Sequence, residues 1–309
     1  MNMLRTVLLP LFLIGQLLLI NTSCSAKKNN KSTGLHILAT TTIVGDVVTN
    51  IAGDKTNLHV LLPPGASPHS FEPSPRDIAK ASNADLIFIN GAGLEQFIDK
   101  LIQNSGSSAE VVSLSENLKL RSIANTHDDQ DESKGLDPHV WTDPNNVISW
   151  VDVIVKHLSE IDSANSKLYY QNGILYKQKL QELDHWITEQ ISKIPQKNRK
   201  LVTDHMLFGY FCERYGFEQT GAIISGFSTL SEPSAQDVAK LEDSIRKMNV
   251  KAILVGNTVN PSMAEQIAGD TGAKLFSFYT GSLSEKGGPA DTYIKYMRYN
   301  VDVIVKALQ

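Results

Sequence analysis

Short aliphatic runs alternate with amphipathic stretches in two successive rounds, and between the rounds lies one long stretch of helical character. This pattern restricts the chain more than any other feature it has. Strands of a parallel sheet are buried on both faces and read as brief aliphatic runs, while the amphipathic segments between them read as crossover helices. The first round places strands at 36–40, 58–62, 84–90 and 110–114, and the second at 200–203, 220–224, 251–255 and 274–278. Four strands are few for one large sheet and suit a small lobe. The expected fold is therefore α/β, with two small lobes, each on a parallel four-stranded sheet. Residues 163–194 contain no proline and a single glycine, Gly173. There Leu168, Leu175, Leu180, Leu183, Ile187 and Ile191 fall largely at helical spacing. About thirty residues of helix span roughly 45 Å at ~1.5 Å per residue, so one stiff helix is expected to join the lobes. Helix starts are signalled by Ser74-Pro75 with Asp77, by Asp143-Pro144, by Asn260-Pro261 and by Ser234 with Asp237.

The first 23 residues differ in kind. Arg5 is their only charge, and the apolar run from Thr6 to Ile20 is broken only by Pro10, Gly15 and Gln16. That run is short for a membrane span and suits the apolar region of a secretory signal. With Thr22 and Ser23 leading into Cys24, it resembles a bacterial lipoprotein signal, which implies lipidation at Cys24 and a membrane-anchored, exported protein. Asn21 stands where such signals usually carry an aliphatic residue, and a plain cleaved signal or an uncleaved anchor are the alternatives. The polar residues that follow read as a flexible tether. The expected organisation is a signal at 1–23, a tether at 24–34, an N-terminal lobe at 35–162, the linking helix at 163–194 and a C-terminal lobe at 195–309. A net charge of -4 gives no reason to expect nucleic acid as a partner, and two cysteines are too few for a disulfide framework. Cys212 reads as a buried apolar side chain.

Three of the eight histidines fall in distinctive places. His69 follows the second strand of the first round in a proline-rich loop, His139 lies in Asp-Pro-His-Val-Trp-Thr-Asp-Pro after the fourth, and His205 follows the first strand of the second round. All three are expected beyond the carboxyl ends of parallel strands, where open α/β sheets bind ligands. Neutral imidazole is a common metal ligand, and three imidazoles with one further donor satisfy tetrahedral zinc. A lone histidine is more often a surface or helix-end residue, and at this level both readings stand. His36, His59, His157 and His185 read as strand-start or helix-surface residues.

Longer motifs carry a resemblance. PHSFEPSPRDIAKASNADLIFINGAGLEQFIDKL, DPHVWTDP, HMLFGYFCERYG, SGFSTLSEPSAQDVAKL and GGPADTYIKYMRYNVDVIVKAL occur in that order. From about Leu35 to the C-terminus the chain resembles the metal-specific solute-binding proteins of bacterial ABC transporters for zinc and manganese, a group that includes lipoproteins once described as adhesins. The resemblance implies two α/β lobes joined by one long rigid helix, a metal site in the interlobe cleft and limited domain motion. It implies that His69, His139 and His205 are metal ligands and that a monomer delivers a divalent ion to a membrane permease.

The family's fourth ligand is often an aspartate in a Thr-Asp-Ser-Leu-like turn. Here the turn reads Thr280-Gly281-Ser282-Leu283, so that ligand is missing, and Glu232 is one conceivable substitute. Manganese prefers oxygen donors and three imidazoles suit zinc better, so Zn2+ is the expected cargo, with Mn2+ or Fe2+ as alternatives. The acidic loop around His127 reads as a solvated charged segment or a weak metal-collecting arm. Three histidines with an open position also build catalytic zinc, but no HExxH and no acid or base placed within a motif is present, so an enzyme is not expected. An adhesion lipoprotein with incidental metal binding is the other rival.

Overall fold

A computed structural model describes residues 34–122 and 135–309. The leader, Cys24, the tether as far as Thr33 and the acidic loop around His127 lie outside the described residues.

The two rounds of strands form two sheets. The first contains β1 (Leu35–Ala39), β2 (Thr56–Val60), β3 (Leu86–Ile89) and β4 (Glu110–Ser113) in the order β2-β1-β3-β4. The second contains β5 (Lys200–His205), β6 (Glu218–Ile224), β7 (Ala252–Gly256) and β8 (Lys274–Phe278) in the order β6-β5-β7-β8. Every pairing is parallel. Each sheet thus lists its strands second, first, third, fourth, and reverses direction at its first strand, which places a ligand crevice at that strand's carboxyl end. The expected two-lobe α/β fold is borne out. β5 runs two residues further than the sequence pattern suggests, because its pairing with β6 continues to His205 opposite Ile224. His205 therefore ends the strand instead of following it.

Crossover helices α1 (Thr42–Ala52), α2 (Pro75–Ser82) and α3 (Ile98–Ser105) serve the first sheet, and α6 (Gly209–Tyr215), α7 (Ala235–Met248) and α8 (Ser262–Thr271) the second. Ser74 with Asp77 and Ser234 with Asp237 both close full capping boxes. Asp143 caps α4 (Pro144–Ile161) by accepting the Asn145 N–H. At α8 the helix starts one residue later than expected: Pro261 occupies the cap, and the Asn260 side chain accepts the Ser262 N–H at 3.0 Å.

Helix α5 (Ser166–Ser192) has 27 residues and follows α4. Its buried face is Tyr169, Gly173, Tyr176, Leu180, Leu183, Ile187 and Ile191, one stripe at spacings of three and four. Gly173 is needed where α4 crosses: a Cβ there would stand 2.7 Å from Val155 Cγ2. Leu175, expected on the buried face, is 56% exposed. The closing helix α9 (Tyr293–Leu308) returns against α5 and β8. The largest apolar core runs through Ile37, Phe88, Trp150, Leu180, Phe208, Leu254 and Ile304 and so joins the two sheets, while a smaller cluster belongs to each sheet alone, around Leu38, Leu61 and Ile87 in the first and Val202, Ile253 and Val255 in the second. Among the described residues no helix is long and apolar enough to cross a membrane.

Candidate metal centre

His69 lies in the connection between β2 and α2. After Val60 the chain stays hydrogen-bonded to β1 through Leu61 and Leu62, then turns through Pro63, Pro64 and Gly65, the last at φ +82°. Prolines fix φ and remove backbone freedom, so this loop is ordered at small entropic cost. His139 sits just before a short 3₁₀ turn leading into α4, with its carbonyl accepting from the Thr142 hydroxyl at 2.9 Å. The preceding Pro138 carbonyl accepts from Asn90 Nδ2 at 3.0 Å. His205 is the last residue of β5.

These three residues, 70 and 66 positions apart in sequence, come together. His69 Nε2 and His205 Nε2 each lie 3.2 Å from His139 Nε2. All three are buried, with 8%, 1% and 2% exposure for His69, His139 and His205. Metal–nitrogen bonds of 2.0–2.1 Å in a tetrahedron put neighbouring nitrogens about 3.3 Å apart, close to the spacing found. No carboxylate joins them: among the described residues, His69, His139 and His205 form the one group able to hold a metal ion.

Electrostatics favours neutral rings at His69 and His139. Burial, and secondarily the His139 and His205 rings, holds the His69 pKa well below the ordinary histidine value. Burial, then His205, does the same for His139, against an opposing pull from Asp204. A neutral imidazole keeps one lone pair for a metal. Which nitrogen keeps it is set from behind. Asp137 Oδ1 accepts both the His139 N–H, at 3.0 Å, and its ring Nδ1–H, at 2.8 Å. Asp204 Oδ1 does the same for His205, at 2.8 and 2.9 Å, while its Oδ2 accepts the Gly256 N–H at 2.9 Å. Carboxylates only accept, so Nδ1 carries the proton and Nε2 faces the centre with its lone pair. Burial pushes the Asp137 carboxyl up to about 7, with Arg121 opposing.

The sequence reading missed Asp137 and Asp204. Their signal was adjacency: each is an acid within two residues of its histidine. Trp141 packs edge-on against His139 at 5.3 Å, and the Phe227 ring lies 6.1 Å from it. Tyr296 ties the rear of the site together, accepting from Trp141 Nε1 at 3.1 Å and donating to the Thr280 carbonyl at 2.8 Å.

At the turn after β8, Gly281 faces the His69 loop. A Cβ there would lie 2.8 Å from Pro68 Cδ. Its φ is not in the left-handed region, so space and not backbone conformation favours glycine here. Glu232 is exposed and lines a cleft of about 590 Å³ with Ser70, Asp204 and Thr229, and it is not one of the residues that converge with the three histidines.

Residues 37–307 match the protein family described as zinc-uptake complex component A, periplasmic. The chain belongs to this family. It is 34% identical over 301 residues to the manganese-binding lipoprotein MntA of Halalkalibacterium halodurans, covering 96% of this chain and 97% of that protein. The manganese ABC transporter substrate-binding lipoprotein PsaA of Streptococcus pneumoniae is 32% identical over 310 residues, covering 97% of each. Among solved structures, the periplasmic zinc binding protein TroA of Treponema pallidum superposes with a TM-score of 0.79 at 28% identity, covering 89% of this chain and 99% of that one. The protein is a metal-binding, substrate-binding component of an ABC uptake system, working with a permease, and is not an enzyme.

Proposed function

We propose that the protein captures Zn2+ between its two sheets, with Nε2 of His69, His139 and His205 as ligands, and delivers it to the membrane permease. In this reading residues 35–162 and 195–309 are the lobes and 163–194 the rigid link. The protein is exported, anchored through lipid on Cys24 and monomeric. The observation that carries the choice of metal is the donor set. Three buried imidazoles converge with no carboxylate among them, and nitrogen donors suit zinc better than manganese. The rival reading is manganese, favoured by the names of MntA and PsaA.

Metal analysis of the full-length protein tests both. We expect one zinc per chain after equilibration with equimolar zinc and manganese, and strongly reduced zinc uptake in His69→Ala, His139→Ala and His205→Ala. Manganese retained in preference to zinc would overturn the choice of metal, and undiminished binding in any variant would remove that histidine from the site. Cys24→Ala is expected to free the protein from the membrane fraction; retention there would remove the anchor.

A further inference from the structure

The three imidazoles are not held alike. His139 and His205 each have a carboxylate behind the ring that also binds their own main-chain N–H, at 2.8–3.0 Å throughout. Their loops are tied down further. The Tyr210 hydroxyl donates to the Asp137 carbonyl at 2.9 Å and accepts the Arg121 N–H, so a helix of the second sheet clamps the His139 segment. Among the described residues no carboxylate touches the His69 ring, whose hydrogen-bond contact is with His139 Nε2. It is also the most exposed of the three.

What positions the His69 loop comes from the other half of the chain. The Gly65 N–H donates to Ser282 Oγ at 2.8 Å, and the Ser67 and Thr229 hydroxyls bond at 3.1 Å. Pro68 rests against Gly281, which offers no side chain to grip it. On its outer side His69 forms part of the wall of a cleft of about 370 Å³ that also includes Phe71, Glu72, Lys100 and Leu230. Leu230, one residue from Thr229, is 57% exposed, so this cleft opens to solvent.

We propose that His69 is the exchanging ligand: His139 and His205 form a fixed two-imidazole seat, and the ion enters and leaves past His69 when the Ser67–Thr229 latch opens. This rests on the metal site proposed above. A ring oriented by its own carboxylate keeps its aim when the surrounding loops shift, whereas a ring placed by contacts from the opposite half loses it when those contacts break. The latch is a single hydroxyl pair, and such a bond contributes modestly. Breaking it leaves the Gly65–Ser282 bond in place and unfolds no element.

The test is zinc dissociation from the full-length protein into excess chelator, followed by stopped flow. Ser67→Ala and Thr229→Val, singly and together, are expected to accelerate dissociation several-fold to about tenfold, the scale of one lost hydrogen bond. The visible spectrum of bound Co2+ should stay that of the wild type, since the ligand set is intact. Unchanged dissociation rates in the double variant would overturn the proposal. So would a variant whose Co2+ spectrum collapses, because the latch would then be holding the seat itself. Failure of the metal site is distinct: there the three histidine variants would bind zinc as the wild type does.

Discussion

Gly281 and Pro68 meet at van der Waals limits, and the consequence is testable at the level of one atom. A Cβ at 281 would come within 2.8 Å of the Pro68 ring, one residue from His69. Pro68 has no flexible end that could swing aside, so Gly281→Asp must displace the loop bearing His69 or the turn that carries residue 281. The new carboxylate faces the same region and adds an oxygen donor of the kind manganese prefers. We expect Gly281→Asp to weaken zinc binding and to lower the zinc-to-manganese affinity ratio by about tenfold or more, the scale of a ~1.4 kcal/mol change in relative binding. Paired titrations of both metals on both proteins measure this. An unchanged ratio in a folded variant would mean that position 281 does not face the metal. The histidines themselves were legible in sequence because parallel strands point their carboxyl ends at the ligand crevice, and all three follow or end such strands. The carboxylates behind them were not. Asp137 and Asp204 look like ordinary turn residues until the fold folds each back onto its own histidine ring.

At the scale of elements, one half-buried carboxylate joins three helices. Asp46 of α1 accepts the Tyr293 N–H at the start of α9 at 2.9 Å, and the Tyr176 hydroxyl of α5 at 3.4 Å. Burial outweighs these bonds and pushes its pKa up to about 6. The unfolded chain ionises near ~3.9, so between about pH 4 and 6 the folded protein holds a proton that the unfolded chain has released. Stability from this group is thus fully present below pH ~4 and is lost as pH rises through about 6. The loss is on the order of 2–3 kcal/mol, two pKa units at ~1.4 kcal/mol each. Asp46→Asn keeps an acceptor for Tyr293 without the charge, so it should be more stable relative to wild type at pH 7 than at pH 4.5. Urea unfolding at the two pH values checks this, and a gap that does not change with pH would contradict it. The α5 stripe illustrates how far periodicity carries. Leu180, Leu183, Ile187 and Ile191 are buried as their spacing suggests, but Leu175 lies one residue, about 100° of helix, from Tyr176 and so faces solvent. Aliphatic character alone could not tell that two tyrosines and Gly173 complete the face.

At the scale of the whole molecule, the largest apolar core couples the two halves. The same apolar core contains Ile37 and Phe88 of the first sheet, Leu180 of α5, Leu254 of the second sheet and Tyr296 of α9. Cross-links reinforce it: Tyr296 bridges Trp141 to the Thr280 carbonyl, and the Leu283 N–H donates to Thr42 Oγ1 at 2.9 Å. Exposing this core at one sheet would also uncover the other, while each sheet keeps a smaller cluster of its own, around Leu61 and Ile87 in the first and Ile253 and Ile267 in the second. Repeated βα rounds read as two lobes; they could not reveal that the lobes share their largest core, because that depends on a chain of packing in which α5 lies on α1, α4 and α9, and α9 on β8. We expect the metal-free protein to melt in a single calorimetric transition whose calorimetric and van't Hoff enthalpies agree. Zinc, if held as proposed by residues from both halves, should raise that one transition as a whole. At free zinc 1,000-fold above Kd the stabilisation is about 4 kcal/mol, and for a chain of this size each kcal/mol moves Tm by roughly 2–4 °C, a shift on the order of 10 °C. Two separable transitions without metal, or a zinc shift confined to one of them, would show that the lobes fold independently and that the shared core does not couple them.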